Sequence, residues 1–438
     1  MDESDSGSTF SHGTRDDPVL GNSTYFWMSS GSGYDKRLAY LVAFSDHLLL
    51  YLESGLNYTG EELVYLVDTF ENVTYPRLTE AFGHEPRPPD DVDGDPRVTV
   101  FINDGRSYFS SSNELTTDEY EYSNEREMFY VGFETDPRYV ARVMAHEFCH
   151  LIGWNGDPSE VNWVKEGLAM YAESVAGFGL RLTGSFETYP SVSLTEWIED
   201  LRAGYGASGL FFKYLSQNYG GSETILNVVS NPLDGIDGIS STLAARGYSS
   251  DFQSVFDNWT IANYLNNESV AGTTYWYQNV PYFRLATPTI PTIEDYPYSS
   301  PQPENLTHWA THYYILSEQW KTRGNLEVKI RELDGEGLHV SVILIGPEIT
   351  VDHLSFSSQG TARFVLPNSS VDVIDVVLVI SSQPSTESYR TQYSLSASIQ
   401  SADEADSSIE MYFLVSVLSL LLIAAALALL HVRRMRMA

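Results

Sequence analysis

The hydrophobic pattern of the chain changes near residue 285, and this change constrains the fold more than any other feature. Before it, apolar residues recur mostly at three- and four-residue steps, the period of helices that bury one face. After it, short runs such as LHVSVILI and TARFVLP alternate, with Gly, Pro and Asn between them, as sandwich strands do. We therefore expect an α+β chain with a helix-rich body over 25–285 and a β-sandwich over 286–400.

Within the body, we predict helix from Asp35 to Phe82 and from Asp136 to about Asn266. Two short runs between them, RVTVFIND and MFYVGF, are β-branched or aromatic, and each is predicted to be a strand. Residues 1–24 are rich in Ser, Gly and Asp and are predicted to be a disordered leader.

The charge of the chain excludes one class of partner. Asp and Glu number 59 against 25 Lys and Arg, which gives a formal charge of −34. Because phosphate recognition needs a basic stripe, we expect no nucleic-acid partner. The chain has one cysteine, which excludes a disulfide framework and multi-cysteine zinc knuckles.

The C-terminal region is predicted to anchor the protein in a membrane. Residues 411–432, MYFLVSVLSLLLIAAALALLHV, carry no Asp, Glu, Lys or Arg and are long enough for one transmembrane helix. An acidic stalk over 401–410 precedes them, and a basic cytoplasmic tail over 433–438 follows. By the positive-inside rule, we predict a single-pass protein of the cell membrane with its body outside.

The N-terminus, MDESDSGSTF, lacks the basic and apolar regions of a signal peptide. An external body requires such a signal, so we interpret the sequence as a mature or trimmed form. Seven Asn-X-Ser/Thr acceptors agree with an external, glycosylated body, and all precede the predicted membrane helix: Asn22, Asn57, Asn72, Asn258, Asn267, Asn305 and Asn368.

The segment HEFCH at 146–150 is the candidate for chemistry. Asp and Pro at 136–137 supply an N-cap and a first-turn proline, so the segment is predicted to be helical. His146 and His150 then lie one turn apart on one face, where both imidazoles can ligate one Zn²⁺. Glu147 lies about 100° round the helix, where it can accept a proton from a water near the metal.

Glu166 is the candidate third ligand. It lies sixteen residues after His150, in a second predicted helix that begins near Asp157 and ends at Gly177. A catalytic zinc site takes three protein ligands and keeps one open position, and two His with one Glu is a known set. Apolar neighbours indicate that Glu166 is buried, and a buried carboxylate needs a partner or a metal.

Two other residues are alternative candidates for the third ligand. The sequence HEFCHLIG also fits the first part of the metzincin pattern, which needs His or Asp three residues after Gly153. That position is Gly156, and Asp157 misses it by one residue. Glu160 is a weaker candidate for the same role.

The two helices together resemble the gluzincin metallopeptidases. Their HExxH motif and Trp-x-x-Glu-Gly-x-Ala helix are matched by HEFCHLIGW and WVKEGLAMYAE. Because DVDGDPRVTVFIND, SNEREMFYVGF and YGASGLFFKYLSQNYGG also match, the chain over about 35–285 looks nearest to the hyicolysin-like metalloproteases. This resemblance implies that His146, His150 and Glu166 bind zinc and that Glu147 is the catalytic base and acid.

The resemblance also implies a fold and an activity. Tyr205 occupies a position similar to the catalytic tyrosine of the aminopeptidase branch, which stabilises the oxyanion. The predicted fold class is α+β, a zincin-like catalytic domain followed by a β-sandwich and a C-terminal transmembrane helix. We expect a membrane-anchored, extracellular zinc metalloendopeptidase whose partners are a peptide or protein substrate and, through that helix, the membrane.

Two alternatives to an endopeptidase remain. One is an aminopeptidase of the same clan, although the Gly-x-Met-Glu-Asn strand of those enzymes has no counterpart in the sequence. The other is an inert surface adhesin on a peptidase scaffold, which would have no chemical need for all four motif residues. The sequence leaves the oligomeric state open.

Three other features are interpreted as structural. His308 and His312 lie on a predicted strand at about 13 Å, too far apart for one ion. The run DVDGD at 91–95 resembles the start of a calcium loop, but position twelve of that frame is Ile102 rather than Glu, which favours a turn before a strand. Cys149 is predicted to pack rather than to ligate or react.

Overall fold

The computed structural model of the chain describes residues 18–31, 33–87, 91–199, 201–270, 274–280, 282–285, 289–334, 337–383 and 390–400. It has mixed α/β content. Apart from a short stretch near residue 270, the chain divides into two compact units, the first ending at Arg284 and the second beginning at Leu285.

The first unit combines one sheet with nine described helices. Its strands are β1 (Ser23–Ser30), β2 (Gly33–Phe44), β3 (Leu48–Glu53), β4 (Val98–Asn103), β5 (Tyr108–Phe109) and β6 (Met128–Gly132). Its helices are α1 (Gly60–Thr69), α2 (Tyr75–Phe82), α3 (Pro137–Gly156), α4 (Asn162–Val175), α5 (Thr183–Thr188), α6 (Arg202–Asn218), α7 (Gly221–Val229), α8 (Gly235–Ala245) and α9 (Phe252–Leu265). A π-helical turn over Phe70–Thr74 joins α1 to α2.

The sheet of this unit is mixed, with strand order β1-β2-β3-β4-β6-β5. β4 pairs in parallel with β3 and with β6, whereas the outer pairs are antiparallel. Every residue of β4 is buried, as expected of a strand with parallel neighbours on both sides. The strands predicted from RVTVFIND and MFYVGF are therefore confirmed as β4 and β6.

The helix predicted from Asp35 to Phe82 is wrong in its first half, because that part of the chain forms β2 and β3. In β2, Ala39 and Leu41 are buried whereas Tyr40 between them is exposed, which is the alternation of a strand. β3 lies between β2 and β4, and its run of leucines is buried on both faces. Only the second half of the segment, from Gly60, is helical.

The helices expected after Asp136 are confirmed, and three of them position the candidate site. The side chain of Asp136 accepts a hydrogen bond from the backbone N–H of Arg138 and caps α3, as predicted. α4 begins at Asn162, later than the predicted start near Asp157. α4 contacts both α3 and α6, so that residues from these three helices come together.

The second unit contains two sheets around one hydrophobic cluster. Its strands are β7 (Thr292–Ile293), β8 (Tyr298–Ser299), β9 (Glu304–Thr307), β10 (Thr311–Leu316), β11 (Asn325–Glu332), β12 (Leu338–Ile345), β13 (Ile349–Leu354), β14 (Thr361–Leu366), β15 (Asp375–Ser382) and β16 (Arg390–Gln400). One sheet has the order β13-β12-β15-β10-β7, and the other has β14-β11-β16-β8, with β9 also on β16. Val342 and Leu378 from the first and Val328 and Leu395 from the second are fully buried in the shared cluster.

The predicted transmembrane helix is not supported. Among the described residues, no helix combines the length and the apolar character that crossing a bilayer requires. The longest of these helices, α3, has 20 residues but carries Arg138, Arg142 and Glu147. The C-terminal transmembrane helix in the predicted fold class is therefore wrong. The predicted location, a single-pass protein of the cell membrane with an external body, depended on that helix and is also wrong.

The segments on which those predictions were based lie outside the described residues. They are the acidic stalk over 401–410, the apolar run over 411–432 and the basic tail over 433–438. The predicted leader over 1–24 is described from residue 18 only, and its last two residues, Ser23 and Thr24, belong to β1.

Candidate metal centre

Two histidines of α3 face each other at a short distance. His146 and His150 are one turn apart, and their Nε2 atoms lie 3.3 Å from each other. The apolar residues between and around them, including Val140, Met144 and Leu151, are buried and fix the rotation of the helix. The two imidazoles therefore offer their Nε2 atoms to one point in space.

Glu166 of α4 brings a carboxylate to the same point. Its Oε2 atom lies 3.3 Å from Nε2 of His146 and 3.6 Å from Nε2 of His150. An ion with tetrahedral geometry and bonds of about 2.0–2.1 Å needs about 3.3–3.4 Å between its ligand atoms. The three atoms thus match one face of such a tetrahedron, and the three residues can hold a metal ion.

The electrostatics of the cluster follow from its carboxylates and imidazoles. Burial disfavours a charged imidazolium, but the contacts with Glu166, Glu173 and Glu147 outweigh it and raise the pKa of His146 to about 10. Burial would raise the pKa of Glu166, but His150 and His146 outweigh it and hold this pKa well below its ordinary value. The imidazoles and the carboxylate of this cluster therefore stabilise each other's charged forms.

Glu147 lies beside the cluster and is itself buried. Its side chain, with those of His146, His150 and Glu166, lines a cavity of about 620 Å³. Burial raises the pKa of the Glu147 carboxyl, against the opposing effect of the two histidines. The structure thus places this carboxylate in the same cavity as His146, His150 and Glu166.

Tyr205 lies on α6 and lines the same cavity. Its ring is held edge-on against Trp197, with ring centroids 4.6 Å apart. All five site residues predicted from the sequence therefore meet in one cavity.

Glu173 and Arg181 also belong to the site, although neither was predicted from the sequence to be a site residue. Oε1 of Glu173, which is fully buried on α4, lies 3.2 Å from Nδ1 of His146. Nη2 of Arg181 donates to the same oxygen at 2.6 Å, and Nε of Arg142 lies 3.7 Å from Oε2. Glu173 is seven residues after Glu166, which is two helical turns on the same face, and that spacing was the available signal.

The alternative third ligands are engaged elsewhere. Oδ1 of Asp157 accepts hydrogen bonds from the backbone N–H and the hydroxyl of Ser159. Oε1 of Glu160 accepts from the backbone N–H groups of Val161 and Gly235. Among the described residues, neither carboxylate belongs to a group whose ligand atoms converge on one point.

The features interpreted as structural have the following environments. His312 lies on β10, and its Nδ1 is 2.8 Å from the hydroxyl oxygen of Tyr393. Cys149 is buried, and burial raises the pKa of its thiol. Asp91 and Asp93, however, converge with Glu127 as a second group of potential metal ligands.

Comparisons with known proteins add no identification. No family model matches the chain, and no curated protein does. Solved structures that match include the pre-peptidase C-terminal domain of a collagenase from Bacillus anthracis, with TM-score 0.19, 10% identity and coverage of 25% of this chain and 93% of that one. The periplasmic inhibitor of g-type lysozyme from Aeromonas hydrophila has TM-score 0.19, 15% identity and coverage of 25% and 97%.

A third match is a family GH115 4-O-methyl-α-glucuronidase, with TM-score 0.17 and 10% identity. It covers 74% of this chain and 54% of the matched one. All three TM-scores lie far below 0.5, so these similarities give no information about function.

Proposed function

We propose that the protein is a zinc metallopeptidase that hydrolyses peptide bonds in peptide or protein substrates. The observation that carries this proposal is the triangle of ligand atoms from His146, His150 and Glu166 beside the buried carboxylate of Glu147. Two imidazoles and one carboxylate are a donor set that suits zinc. Bound zinc would polarise the scissile carbonyl and lower the pKa of the attacking water.

Glu147 is the proton carrier of the proposed reaction. It accepts the proton of the attacking water and returns it to the nitrogen of the leaving amine. A group with both tasks works best when its pKa lies near the operating pH, and burial raises the pKa of this carboxyl in that direction. The position of Glu147 beside the three candidate ligands and the raised pKa of its carboxyl support its proposed role as general base and acid.

The surrounding residues orient the reacting groups. The hydroxyl of Tyr205 donates a hydrogen bond to the oxygen on which negative charge develops. Glu173 holds the ring of His146 from its Nδ1 side, and Arg181 in turn holds Glu173. Outer carboxylates of this kind fix the orientation of a ligating histidine and raise its basicity.

The charges of the cavity favour an endopeptidase over an aminopeptidase. An aminopeptidase needs carboxylates that are free to bind the substrate amine. Here three glutamates face four basic side chains, Arg106, Lys165, Arg181 and Arg202. Of these three glutamates, Glu147 is the proposed base and Glu166 the proposed metal ligand. Only Glu199 therefore remains to bind the amine of a substrate.

A neighbouring cavity suits the side chain of a peptide. It has a volume of about 550 Å³, reaches His150 and is partly apolar, lined by Phe109, Trp154, Leu168 and Val229. Pockets with apolar walls and a few polar groups are typical of ligand-binding sites. The likeness of the two motifs to the gluzincins supports the same function.

The experiment that tests this proposal is cleavage of an unfolded, N-terminally blocked protein by the zinc-loaded chain. The Glu147→Gln variant should keep its zinc and lose cleavage by about 10²–10⁴-fold. Glu196→Gln, which alters an exposed glutamate, is the matched control and should cleave like the wild type. Equal cleavage by the wild type and Glu147→Gln would contradict the proposal, and release of single N-terminal residues only from unblocked substrate would favour the aminopeptidase.

A further inference from the structure

We propose that Asp91, Asp93 and Glu127 form a second metal site, separate from the histidine cluster, and that this site binds calcium. Carboxylate oxygens of Asp91, Asp93 and Glu127 all lie within 4.8 Å of one another. A group of acidic residues alone is common at protein surfaces. What distinguishes this group is the state of Glu127 and Glu114.

Glu127 is a buried carboxylate that is only half satisfied. The residue is 2% exposed, and its Oε1 accepts a hydrogen bond from the backbone N–H of Val92 at 3.1 Å. Its Oε2 has no hydrogen-bond partner among the described residues. An unpaired buried carboxylate oxygen is costly, and a bound cation would compensate it.

Glu114 has a second buried carboxylate oxygen that lacks a hydrogen-bond partner. Its Oε1 is buried and has no hydrogen-bond partner in the described part of the chain. Glu114 lies against the carboxylate of Glu127, so two acidic side chains are buried next to each other. Among the described residues, no Lys, Arg or His forms an ion pair with Glu114 or Glu127.

The fold supplies the carboxylate that the calcium-loop pattern lacks. Counted along the chain, position twelve of the loop that starts at Asp91 is Ile102, which is buried in β4. Glu127 immediately precedes β6, the parallel neighbour of β4, and so comes to the loop from another part of the sequence. Asp95 is not part of the site, because Arg97 binds both of its oxygens at 2.8–2.9 Å.

The donor set indicates the type of cation. All three ligands are carboxylates, with no imidazole or thiolate among them, and such sets suit hard cations with oxygen ligands. Calcium tolerates irregular coordination and several carboxylates, whereas magnesium demands near-octahedral geometry and keeps much of its water. We therefore assign calcium.

Calcium at this site would stabilise the segment that lines the neighbouring cavity of about 550 Å³. It would join the loop at 91–95 to Glu127, just before β6, and Glu127 lies against Glu114 at the end of the 3₁₀ turn Ser111–Glu114. The segment just before that turn supplies Phe109 and Ser110 to the cavity next to His150. Binding should thus raise the thermal stability of the protein independently of zinc.

The test uses the full chain with its zinc content held constant and measured. Calorimetric titration with CaCl₂ should show one calcium per chain, and Tm should rise by about 3–5 °C at a hundredfold excess over Kd. Glu127→Gln should abolish both effects without changing zinc content. Glu119→Gln, an exposed glutamate of the same segment, should retain both effects.

A second variant keeps the test valid if Glu127→Gln fails to fold. Asp93 is exposed, so Asp93→Asn should fold even if Glu127→Gln does not, and it should weaken calcium binding at least tenfold. The proposal is overturned if the wild type binds no calcium up to about 10 mM. It is equally overturned if magnesium binds more tightly than calcium or if both variants bind calcium like the wild type.

Discussion

Nδ1 of His146 lies 3.2 Å from Oε1 of Glu173, so the ring whose Nε2 faces the candidate metal position has a fully buried carboxylate on its other side. The carboxylate is itself held by Arg181 at 2.6 Å. The centre thus consists of three groups that face the candidate metal position and, behind them, a buried glutamate paired with a partly exposed arginine. This relationship ties the geometry of the site to two residues that do not touch the metal position.

Replacing Glu173 by Gln should weaken zinc binding by about 10–100-fold, because the ring of His146 loses its orienting partner. Zinc affinity should be measured by competition with a chromophoric chelator, with circular dichroism to establish that the variant is folded. Glu61→Gln, at an exposed position of α1, is the control and should bind zinc like the wild type. A folded Glu173→Gln protein with unchanged zinc affinity would show that this contact does not position His146.

Replacing Tyr205 by Phe removes one hydroxyl from the cavity. If this hydroxyl stabilises the oxyanion, kcat should fall by about 10²–10³-fold while zinc content and KM change little. Tyr189→Phe removes a hydroxyl from an exposed tyrosine and should leave kcat unchanged. Retention of full activity by Tyr205→Phe would exclude this role.

Gly167 lies beside Glu166, at the contact between α4 and α6. A Cβ at this position would lie 2.6 Å from Cδ2 of Phe212, which is fully buried and cannot move aside. Gly167→Ala should therefore destabilise the protein by about 1–3 kcal/mol and lower zinc affinity by displacing α4.

Gly153 is the matched position on α3, since a Cβ there meets nothing within 4 Å. Gly153→Ala should be neutral or stabilise the protein by up to about 1 kcal/mol, as helix propensity predicts. Urea unfolding of the two variants measures both effects. A stability loss in Gly153→Ala as large as that in Gly167→Ala would contradict this packing argument.

Glu327 makes the stability of the second unit depend on pH. Burial would raise its pKa, but Lys329 and Arg363, at 2.9 and 2.6 Å, outweigh it and lower the pKa. A lowered folded-state pKa means that the stabilisation is fully present above the pKa of the unfolded chain. It is lost as the pH falls through the folded-state pKa.

Glu327→Gln should therefore be less stable than the wild type near pH 7, and the difference should shrink below about pH 4. Glu348→Gln, an exposed glutamate of the same unit, should show no such difference at either pH. Thermal unfolding across this range measures the effect. A difference between the wild type and Glu327→Gln that stays constant from neutral to acid pH would contradict the assignment.

The local signals of the sequence were sufficient for the metal-facing part of the site. The cap at Asp136 and the four-residue step from His146 to His150 depend only on helix geometry, and both are present in α3. Glu173 was harder to find, because its role depends on how α4 packs on α3. Glu127 could not be found from the loop pattern, because it reaches Asp91 through the pairing of β4 with β6.

The region from Gly33 to Glu53 shows where periodicity is insufficient. β3 is buried on both faces, so its leucines do not alternate with polar residues. A short, continuous apolar run fits a buried strand and a buried helix equally well. The choice is made by pairing with β2 and β4, and the partner β4 is far away in the sequence.

The most direct test of the proposed zinc site is a crystal of the zinc-loaded chain measured on both sides of the zinc absorption edge. We expect one anomalous peak within about 2.0–2.2 Å of Nε2 of His146, Nε2 of His150 and Oε2 of Glu166. A peak bound by Asp157 or Glu160 instead of Glu166 would contradict the ligand set. Absence of any zinc peak at His146 and His150 would contradict the zinc centre itself.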